Sequence, residues 1–279
     1  MTAHLDDLRA DLPDLVVRPP RYIDGVVDPS DLDAAEALLA RCDLAAVGER
    51  DSGRDEVAGM FSSSDTDRAL SAFVLDGDDL VGFIWIEHNA TGAETWIDTY
   101  ADPDRHTARI IDAGLRHGMA VAADDKAAAG ADVWTLRSGS FGTDEVLVAR
   151  LEAAGFACVR RFYRMRIDLA TAPLPAEPPA LPDGAVLVVA RSEDERRRAH
   201  AVQQAAFADH WNHTERTYEE SVDRMGVEAQ DPDGWWLVEV DGAPAAVCIL
   251  DESRAELGDG YVRTLGVARE FRGRGLAQN

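Results

Sequence analysis

The sequence predicts an α/β fold built from two related units, on three observations. An apolar hairpin that turns at an Asp-Gly pair occurs twice, at Asp76-Gly77 and at Asp241-Gly242, 165 residues apart. A helix-like segment precedes each hairpin, and strand-like residues follow each at the same spacing. A proline-rich stretch separates the two copies. We therefore expect mixed sheets flanked by helices, with the second unit incomplete.

Each copy begins with a segment that has the pattern of a helix. In the first copy it runs from Asp28 to Cys42, and in the second from Ser192 to Phe207. Ser192 and Glu195 have the S-x-x-E spacing of a capping box, in which the two side chains accept hydrogen bonds from each other's backbone amides. The spacing predicts a helix that starts directly after Ser192.

The strands of the hairpin follow this helix. Ala72 to Glu87 and Trp235 to Glu252 are rich in apolar and β-branched residues on both sides of the Asp-Gly turn. The next strand is expected at Trp96 to Thr99 in the first copy and at Tyr261 to Thr264 in the second. The order of helix, hairpin and strand is therefore the same in both copies.

The first copy continues beyond this point. An amphipathic helix is expected from Asp104 to Ala123, a strand from Asp132 to Leu136, and a second helix from Asp144 to Ala154. From Cys158 to Leu169 apolar residues alternate with charged ones, as they do in a strand with one buried face. This last segment is predicted to be the strand that closes the first copy.

The domain boundaries follow from the prolines and from the repeat. Thr171 to Gly184 holds five of the twelve prolines of the chain, and such a stretch cannot join a helix or a central strand. We predict a degenerate first domain at residues 1–170, a linker at 171–184 and a second domain at 185–279. The repeat spacing places the end of the second copy roughly 55 residues beyond Asn279, so a C-terminally truncated domain is expected.

Composition excludes several classes of function. The chain has 28 Lys and Arg against 52 Asp and Glu, a formal net charge of -24, so nucleic acid and anionic membrane surfaces would repel it. Three distant cysteines form neither a metal-ligand pair nor a disulfide scaffold, and no apolar run has the length of a membrane span. A cytoplasmic protein without a metal is expected.

The segment with the most chemical information runs from Gly260 to Asn279. A strand is followed by an arginine-rich turn with two glycines and then by helix-compatible residues. Gly273 and Gly275 allow a ligand to approach the main chain, and amides at a helix start attract anions. This pattern predicts a cradle for a pyrophosphate. A Rossmann site is disfavoured because G-x-G-x-x-G fails at Gln278, and a P-loop is excluded because G-K-[ST] is absent.

This segment resembles motif A of the GNAT superfamily of acyl-CoA-dependent N-acyltransferases. The signature [QR]-x-x-G-x-[GA] is matched by Arg272, Gly275 and Ala277, after the triplet Leu265-Gly266-Val267. The resemblance implies that Leu265 and Val267 hydrogen-bond the pantetheine arm and thioester of acetyl-CoA. It implies that the CoA pyrophosphate is held by amides of Arg272, Gly273, Arg274, Gly275, Leu276 and Ala277. The second copy as a whole looks like the tandem acetyltransferases of actinobacteria, the architecture shared by mycothiol synthase.

The first copy departs from the signature. Arg105 is available as its arginine, but Ala108 and Ile110 then stand where glycine and a small residue are needed. The branched side chain is expected to fill the phosphate space. Leu151 stands where the family has a tyrosine that protonates the leaving thiolate. The first copy is therefore interpreted as a structural partner without activity.

The family's reaction requires a group that takes a proton from the amine, because amines are mostly protonated at neutral pH. Asp251, Glu256 and Asp259 lie near the fourth strand of the second copy, and Asp259 is our candidate. A solvated turn acid is the alternative interpretation of each. His210 and Trp211 are expected to border the substrate entrance. His210 and His213 also suggest a metal pair, but no third ligand has a recognisable spacing.

The resulting prediction is an enzyme that transfers the acetyl group of acetyl-CoA to an amine of a small molecule, and the net negative charge favours a cationic one. Two alternatives remain open. One is a CoA-binding or scaffold protein without activity, and the other is an acetyltransferase that modifies proteins. Release of free thiol from acetyl-CoA with a panel of amines distinguishes an enzyme from a protein that only binds CoA. Labelling of proteins in a lysate, rather than of metabolites, would identify an acetyltransferase that modifies proteins.

Overall fold

The computed structural model describes residues 2–89, 93–173, 177, 179–211, 213–225, 233–252 and 254–278. Its contacts divide the chain into two compact units, Met1–Ala157 and Cys158–Asn279. This division assigns residues 158–170, which the sequence predicts for the first domain, to the second unit. Residues 174–176 and 178 of the predicted linker, and Asn279, lie outside the described residues.

The first unit is built on a five-stranded sheet. Its strands are β1 (Val16–Arg18), β4 (Ala72–Asp76), β5 (Asp79–Asn89), β6 (Glu94–Ala101) and β7 (Thr135–Arg137), in the spatial order β1-β4-β5-β6-β7. The first four pair antiparallel, and β7 pairs parallel with β6. A separate ribbon joins β2 (Tyr22–Ile23) to β3 (Val26–Val27). The predicted strand from Asp132 to Leu136 is thus observed as the shorter and displaced β7.

Five helices accompany this sheet: α1 (Thr2–Asp11), α2 (Pro29–Val47), α3 (Arg54–Ser62), α4 (Thr107–Ala129) and α5 (Glu145–Ala153). The predicted helices are confirmed as α2, α4 and α5. The side chain of Asp28 accepts a hydrogen bond from the amide of Ser30 at the start of α2. The side chain of Asp144 does the same for Leu147 in α5.

The helices pack on both faces of the sheet. Because side chains alternate along a strand, Val74 and Ile84 belong to the apolar cluster that includes residues of α1, α4 and α5. Their neighbours Phe73 and Phe83 belong to a second cluster with residues of α2 and α3. Helix α4 approaches β6 closely at Gly118, where a Cβ atom would lie 2.3 Å from Cδ1 of Ile97.

The second unit has a four-stranded antiparallel sheet. Its elements are β8 (Ala185–Val189), α6 (Glu193–Phe207), α7 (Tyr218–Met225), β9 (Trp235–Val240), β10 (Ala243–Asp251) and β11 (Tyr261–Val267). The spatial order is β11-β10-β9-β8, which repeats the order β6-β5-β4-β1 of the first unit. The α/β prediction, both Asp-Gly hairpins and the capping box of Ser192 and Glu195 are confirmed.

Beyond β11 the two units differ. Two short 3-10 turns, Arg269–Phe271 and Leu276–Gln278, follow β11. Within the described residues of the second unit nothing corresponds to β7, α4 or α5 of the first. The described residues also include no helix with the length and apolar character needed to cross a bilayer.

The predicted closing strand from Cys158 to Leu169 is wrong. The described residues form no ladder with this segment, which runs as irregular chain and is grouped with the second unit. Arg166 donates to Asp259 at 2.9 Å, and the ring of Phe162 lies 6.4 Å from that of Trp211. Alternation of apolar and charged residues suits a strand, but a strand also needs a partner edge, which local sequence does not specify.

Candidate active site

Among the residues that the structure describes, none pairs with the outer edge of the strand β11. It is the last strand of its sheet, and its other side pairs with β10. Ala268 donates its amide to the carbonyl of Ala245 at 2.9 Å. Because hydrogen-bonded pairs alternate along an antiparallel ladder, the backbone of Gly266 faces β10, whereas that of Leu265 and Val267 faces the open edge. The edge can therefore accept an extended ligand as a further strand would be accepted.

A bulge interrupts the pairing in the middle of β11. Thr264 pairs with Ile249, but Val262 pairs with Leu250, so Arg263 is an extra residue. Its guanidinium is ion-paired with the buried carboxylate of Asp251. The equivalent pairing of β5 with β6 has no such shift. The bulge was not visible in the sequence, because a single extra residue leaves no mark in so short an apolar pattern.

The turn that follows β11 exposes backbone amides. Gly273 and Gly275 have φ angles of 76° and 83°, which only glycine adopts without strain. Within the described residues, the amides of Gly273 and Arg274 donate to no backbone carbonyl. Leu276 is 4% exposed and anchors the turn in the apolar core. The turn thus offers amides at a fixed position, as an anion requires.

The side chain of Arg272 holds this turn in place. Its Nε donates to the carbonyl of Val267 at 3.1 Å, and its Nη2 donates to the carbonyl of Ala206 at 2.8 Å. Nη1 lies 3.6 Å from a carboxylate oxygen of Asp209. The signature arginine therefore links the end of α6 to the end of β11, a role that the sequence analysis missed.

Gly266 allows β11 to pack closely against α6. A Cβ atom at this position would lie 3.0 Å from Cβ of Ala206 and 3.0 Å from Cε2 of Phe207. The α-carbon of Gly266 therefore faces α6. The predicted cofactor-binding residues thus lie along one edge and one turn; among them, Arg272 directs its guanidinium to two backbone carbonyls and Leu276 is buried in the apolar core.

Asp259 lies directly before β11. Its carboxylate accepts from Arg166 at 2.9 Å and lies 3.6 Å from Nη2 of the buried Arg254. The two arginines therefore hold this carboxylate at a defined position. Of the other two candidate acids, Asp251 is ion-paired with Arg263, and Glu256 lies in the short 3-10 turn Ala255–Leu257.

A cleft of about 350 Å³ opens beside the bulge. It is lined by the C-terminal half of α6, the loop after it, and β11; the lining residues are Gln203, Gln204, Phe207, His210, Trp211, His213, Thr214, Arg216, Ser221 and Arg263. His210 and Trp211, predicted for the substrate entrance, both belong to this lining. The ring of His210 packs edge-on against Phe207 at 5.6 Å.

A network of buried polar side chains lies beside the cleft. Nε2 of His200 lies 2.9 Å from the hydroxyl of Ser221 and 3.2 Å from the amide nitrogen of Gln204. Burial lowers the pKa of His200, so the ring is neutral at neutral pH. This network was not predicted from the sequence, although the i, i+4 spacing of His200 and Gln204 places both on one helix face. No group of three or more candidate metal ligands occurs among the described residues.

The register of the strands also corrects the alignment of the turn in the first copy with the turn in the second. Asp102 donates its amide to Val81 as Ala268 does to Ala245, so these two pairs mark the same point in each unit. Arg109 follows Asp102 at the same distance along the chain as Gly275 follows Ala268. Arg109, and not Ala108, therefore corresponds to Gly275. The guanidinium of Arg109 is ion-paired with Asp14.

Two further residues distinguish the turn of the first unit. Ile110 corresponds to Leu276 and is fully buried in the core, so the expectation that it fills the phosphate space is wrong. Asp102 is 5% exposed and pairs with Arg41 at 2.9 Å. A carboxylate at the start of α4 disfavours an anion there. Arg105, the predicted signature arginine, pairs instead with Asp76 and Asp79.

The first unit has a cavity of its own, of about 270 Å³, beside β6. Asp98, Tyr100 and Cys42 contribute to its wall. Burial raises the pKa of the Cys42 thiol to about 12, which keeps it protonated. Burial also raises the pKa of the Asp98 carboxyl to about 6, although the amide of Gly139 donates to it at 2.8 Å.

Comparisons with known proteins agree with this architecture. Residues 182–279 match the model of the acetyltransferase (GNAT) family. The chain has the fold of the GNAT acetyltransferases. A GCN5-related N-acetyltransferase from Sphaerobacter thermophilus superposes with a TM-score of 0.71 at 20% identity, over 95% of this chain and 79% of that one.

A second solved structure is a tandem GNAT protein from the clavulanic acid biosynthesis pathway, determined without AcCoA. It superposes with a TM-score of 0.58 at 15% identity, over 95% of this chain and 82% of that one. No curated protein matches the chain. Acyl transfer is the general reaction of the family whose model matches residues 182–279.

Proposed function

We propose that the second unit binds acetyl-CoA along β11 and transfers its acetyl group to an amine of a small molecule. The observation that carries this proposal is the continuity of the open backbone edge at Leu265 and Val267 with the amide-rich turn at Gly273 and Gly275. An extended pantetheine arm suits the edge, and a pyrophosphate suits the turn. Acetyl-CoA is the substrate that joins these two groups.

The reaction needs few protein groups once both substrates are bound. The amine nitrogen attacks the thioester carbonyl carbon, the carbon–sulfur bond breaks, the amine loses a proton and the CoA thiolate gains one. We propose that Asp259 takes the proton from the amine, directly or through water, since Arg166 and Arg254 hold its carboxylate beside β11. Asp259→Asn should then lower kcat and leave the affinity for acetyl-CoA unchanged.

The first unit is proposed to be a structural partner without a CoA site. Arg109 and the buried Asp102 occupy its equivalent turn, where the second unit has Gly275 and Ala268. The strand order repeated in the two sheets supports a tandem acetyltransferase of the mycothiol-synthase-like, actinobacterial type. The three cysteines, Cys42, Cys158 and Cys248, are all free thiols, which supports a cytoplasmic location.

Calorimetry with acetyl-CoA tests the cradle. Gly275→Glu should abolish binding, because it adds bulk and negative charge where the pyrophosphate is expected. Gly242→Glu is the matched control: its φ angle of 79° gives the same backbone strain, in a hairpin turn away from the site. Unchanged affinity in Gly275→Glu would refute the cradle. Thiol release with a panel of amines then separates an enzyme from a protein that binds CoA without turnover.

A further inference from the structure

Among the described residues, the cleft beside β11 is lined by basic and not by acidic side chains. The chain carries 52 acidic against 28 basic residues. The described residues that line the cleft nevertheless include no Asp or Glu, whereas Arg216, Arg263, His210 and His213 are among them. The overall charge predicts a cationic acceptor, but groups at contact distance select a ligand more strongly than distant ones, which salt screens. The cleft therefore presents guanidinium donors, the groups that bind an anion at contact distance.

The two arginines are held at defined positions. Arg263 is fixed by the bulge and by its ion pair with Asp251, and a guanidinium has five N–H donors, so one partner does not exhaust it. The loop that carries Arg216 is tied to α6, because the amide of Arg216 donates to the side-chain carbonyl of Gln204 at 3.3 Å. A planar carboxylate suits such forked donors.

The acyl acceptor must reach the open edge while its anionic group lies in the cleft. Arg263 and Leu265 are two residues apart on the same strand, a separation of roughly 7 Å. The cleft volume of about 350 Å³ suits a compact molecule. An amine and a carboxylate on one small molecule span this separation.

We infer that the acyl acceptor is an amine that also carries a carboxylate, as an amino acid does, and that Arg216 and Arg263 hold the carboxylate. This inference rests on the proposed function and narrows its substrate class. It replaces the expectation of a purely cationic acceptor. Each charged hydrogen bond of this kind corresponds to a roughly 10-fold to 100-fold preference.

The test compares α-amino acids with the amines that lack only the carboxylate, for example phenylalanine with phenethylamine and lysine with cadaverine. Thiol release from acetyl-CoA should give a kcat/KM at least about tenfold higher for the carboxylate-bearing member of a pair. Arg216→Gln should reduce this ratio, and Arg191→Gln, which removes an exposed arginine paired with Asp233, should preserve it. Because Arg263→Gln would remove the ion-pair partner of the buried Asp251, the second variant is Arg263→Gln combined with Asp251→Asn.

Each outcome decides a separate point. Equal turnover of both members, or faster turnover of the simple amine, overturns the inference and leaves the proposed acyltransferase intact. Preference for a phosphate-bearing amine such as phosphoethanolamine also overturns it. If no amine is turned over although acetyl-CoA binds, the proposed transfer fails. Calorimetry of phenylalanine and phenethylamine with the CoA-bound protein then tests carboxylate recognition alone, and absence of a preference overturns it.

Discussion

Asp98 offers a direct test of how burial acts in the first unit. Its carboxyl lies on β6 in the wall of the cavity there, and burial raises its pKa from 3.8 to about 6. We expect Asp98→Asn to stabilise the protein at pH 8. The substitution removes the charge that burial disfavours, and the asparagine oxygen still accepts the hydrogen bond from Gly139.

The sign and size of the effect follow from the pKa. A carboxyl whose pKa is raised on folding binds its proton more tightly in the folded state, so its favourable contribution is complete below pH 3.8 and is lost as the pH rises through about 6. A difference of about 2 pH units corresponds to about 3 kcal/mol. Because Asp98 is only partly buried, we expect Asp98→Asn to gain about 2 kcal/mol at pH 8 and almost nothing at pH 4.

Urea denaturation of both proteins between pH 4 and pH 8 measures this difference. The control is Asp78→Asn, which removes the same charge from the exposed turn between β4 and β5. The free energy of unfolding of Asp98→Asn relative to wild type should rise between about pH 4 and pH 6 and then level off, and that of the control should not change. A gain that is equal at both ends of the range, or no gain at pH 8, would refute the reasoning.

Two further substitutions test the packing and the ion pairs of the first unit. Asp31 is 1% exposed, accepts two hydrogen bonds of 2.7 Å from Arg18, and has a pKa lowered to about 2. Asp31→Asn should cost roughly 3 to 5 kcal/mol of stability at pH 7, measured by urea denaturation. The wild type should lose this advantage as the pH falls from 3.8 toward 2, because the carboxyl becomes protonated. Equal acid sensitivity of both proteins would contradict the lowered pKa of Asp31. Gly118→Ala should cost roughly 1 to 3 kcal/mol in the same measurement, because its Cβ would overlap Ile97. Its control, Gly59→Ala in α3, has open space around the new atom and should stabilise by up to about 1 kcal/mol; a stable Gly118→Ala protein would show that α4 shifts freely on β6.

Features that depend on neighbouring residues were predictable from the sequence. The Asp-Gly turns and the capping box of Ser192 are local, since a few adjacent residues contain both the donor and the acceptor. The glycine positions of the turn after β11 were predictable for the same reason. These local features define the turns of the two hairpins and the start of α6.

Features that depend on distant pairing were not predictable. The segment from Cys158 to Leu169 has a strand pattern, but its pattern does not specify which edge, if any, it joins. The bulge at Arg263 became visible only from the register between β10 and β11. Ala108 was matched with Gly275 because Arg105 was aligned with Arg272, whereas the register of the strands places Arg109 at that position. The role of Arg272 depends on the carbonyl of Ala206, 66 residues away.

The irregular segment 158–169 has a consequence for the behaviour of the protein in solution. Phe162, Tyr163, Met165 and Ile167 are between 62% and 93% exposed, and such a run of β-prone side chains is a template for intermolecular strand pairing. Arg160, Arg161, Arg164 and Arg166 interrupt the run. Like charges repel when identical segments stack in register, so these arginines act as gatekeepers against aggregation. Their protection is electrostatic and weakens as the salt concentration rises.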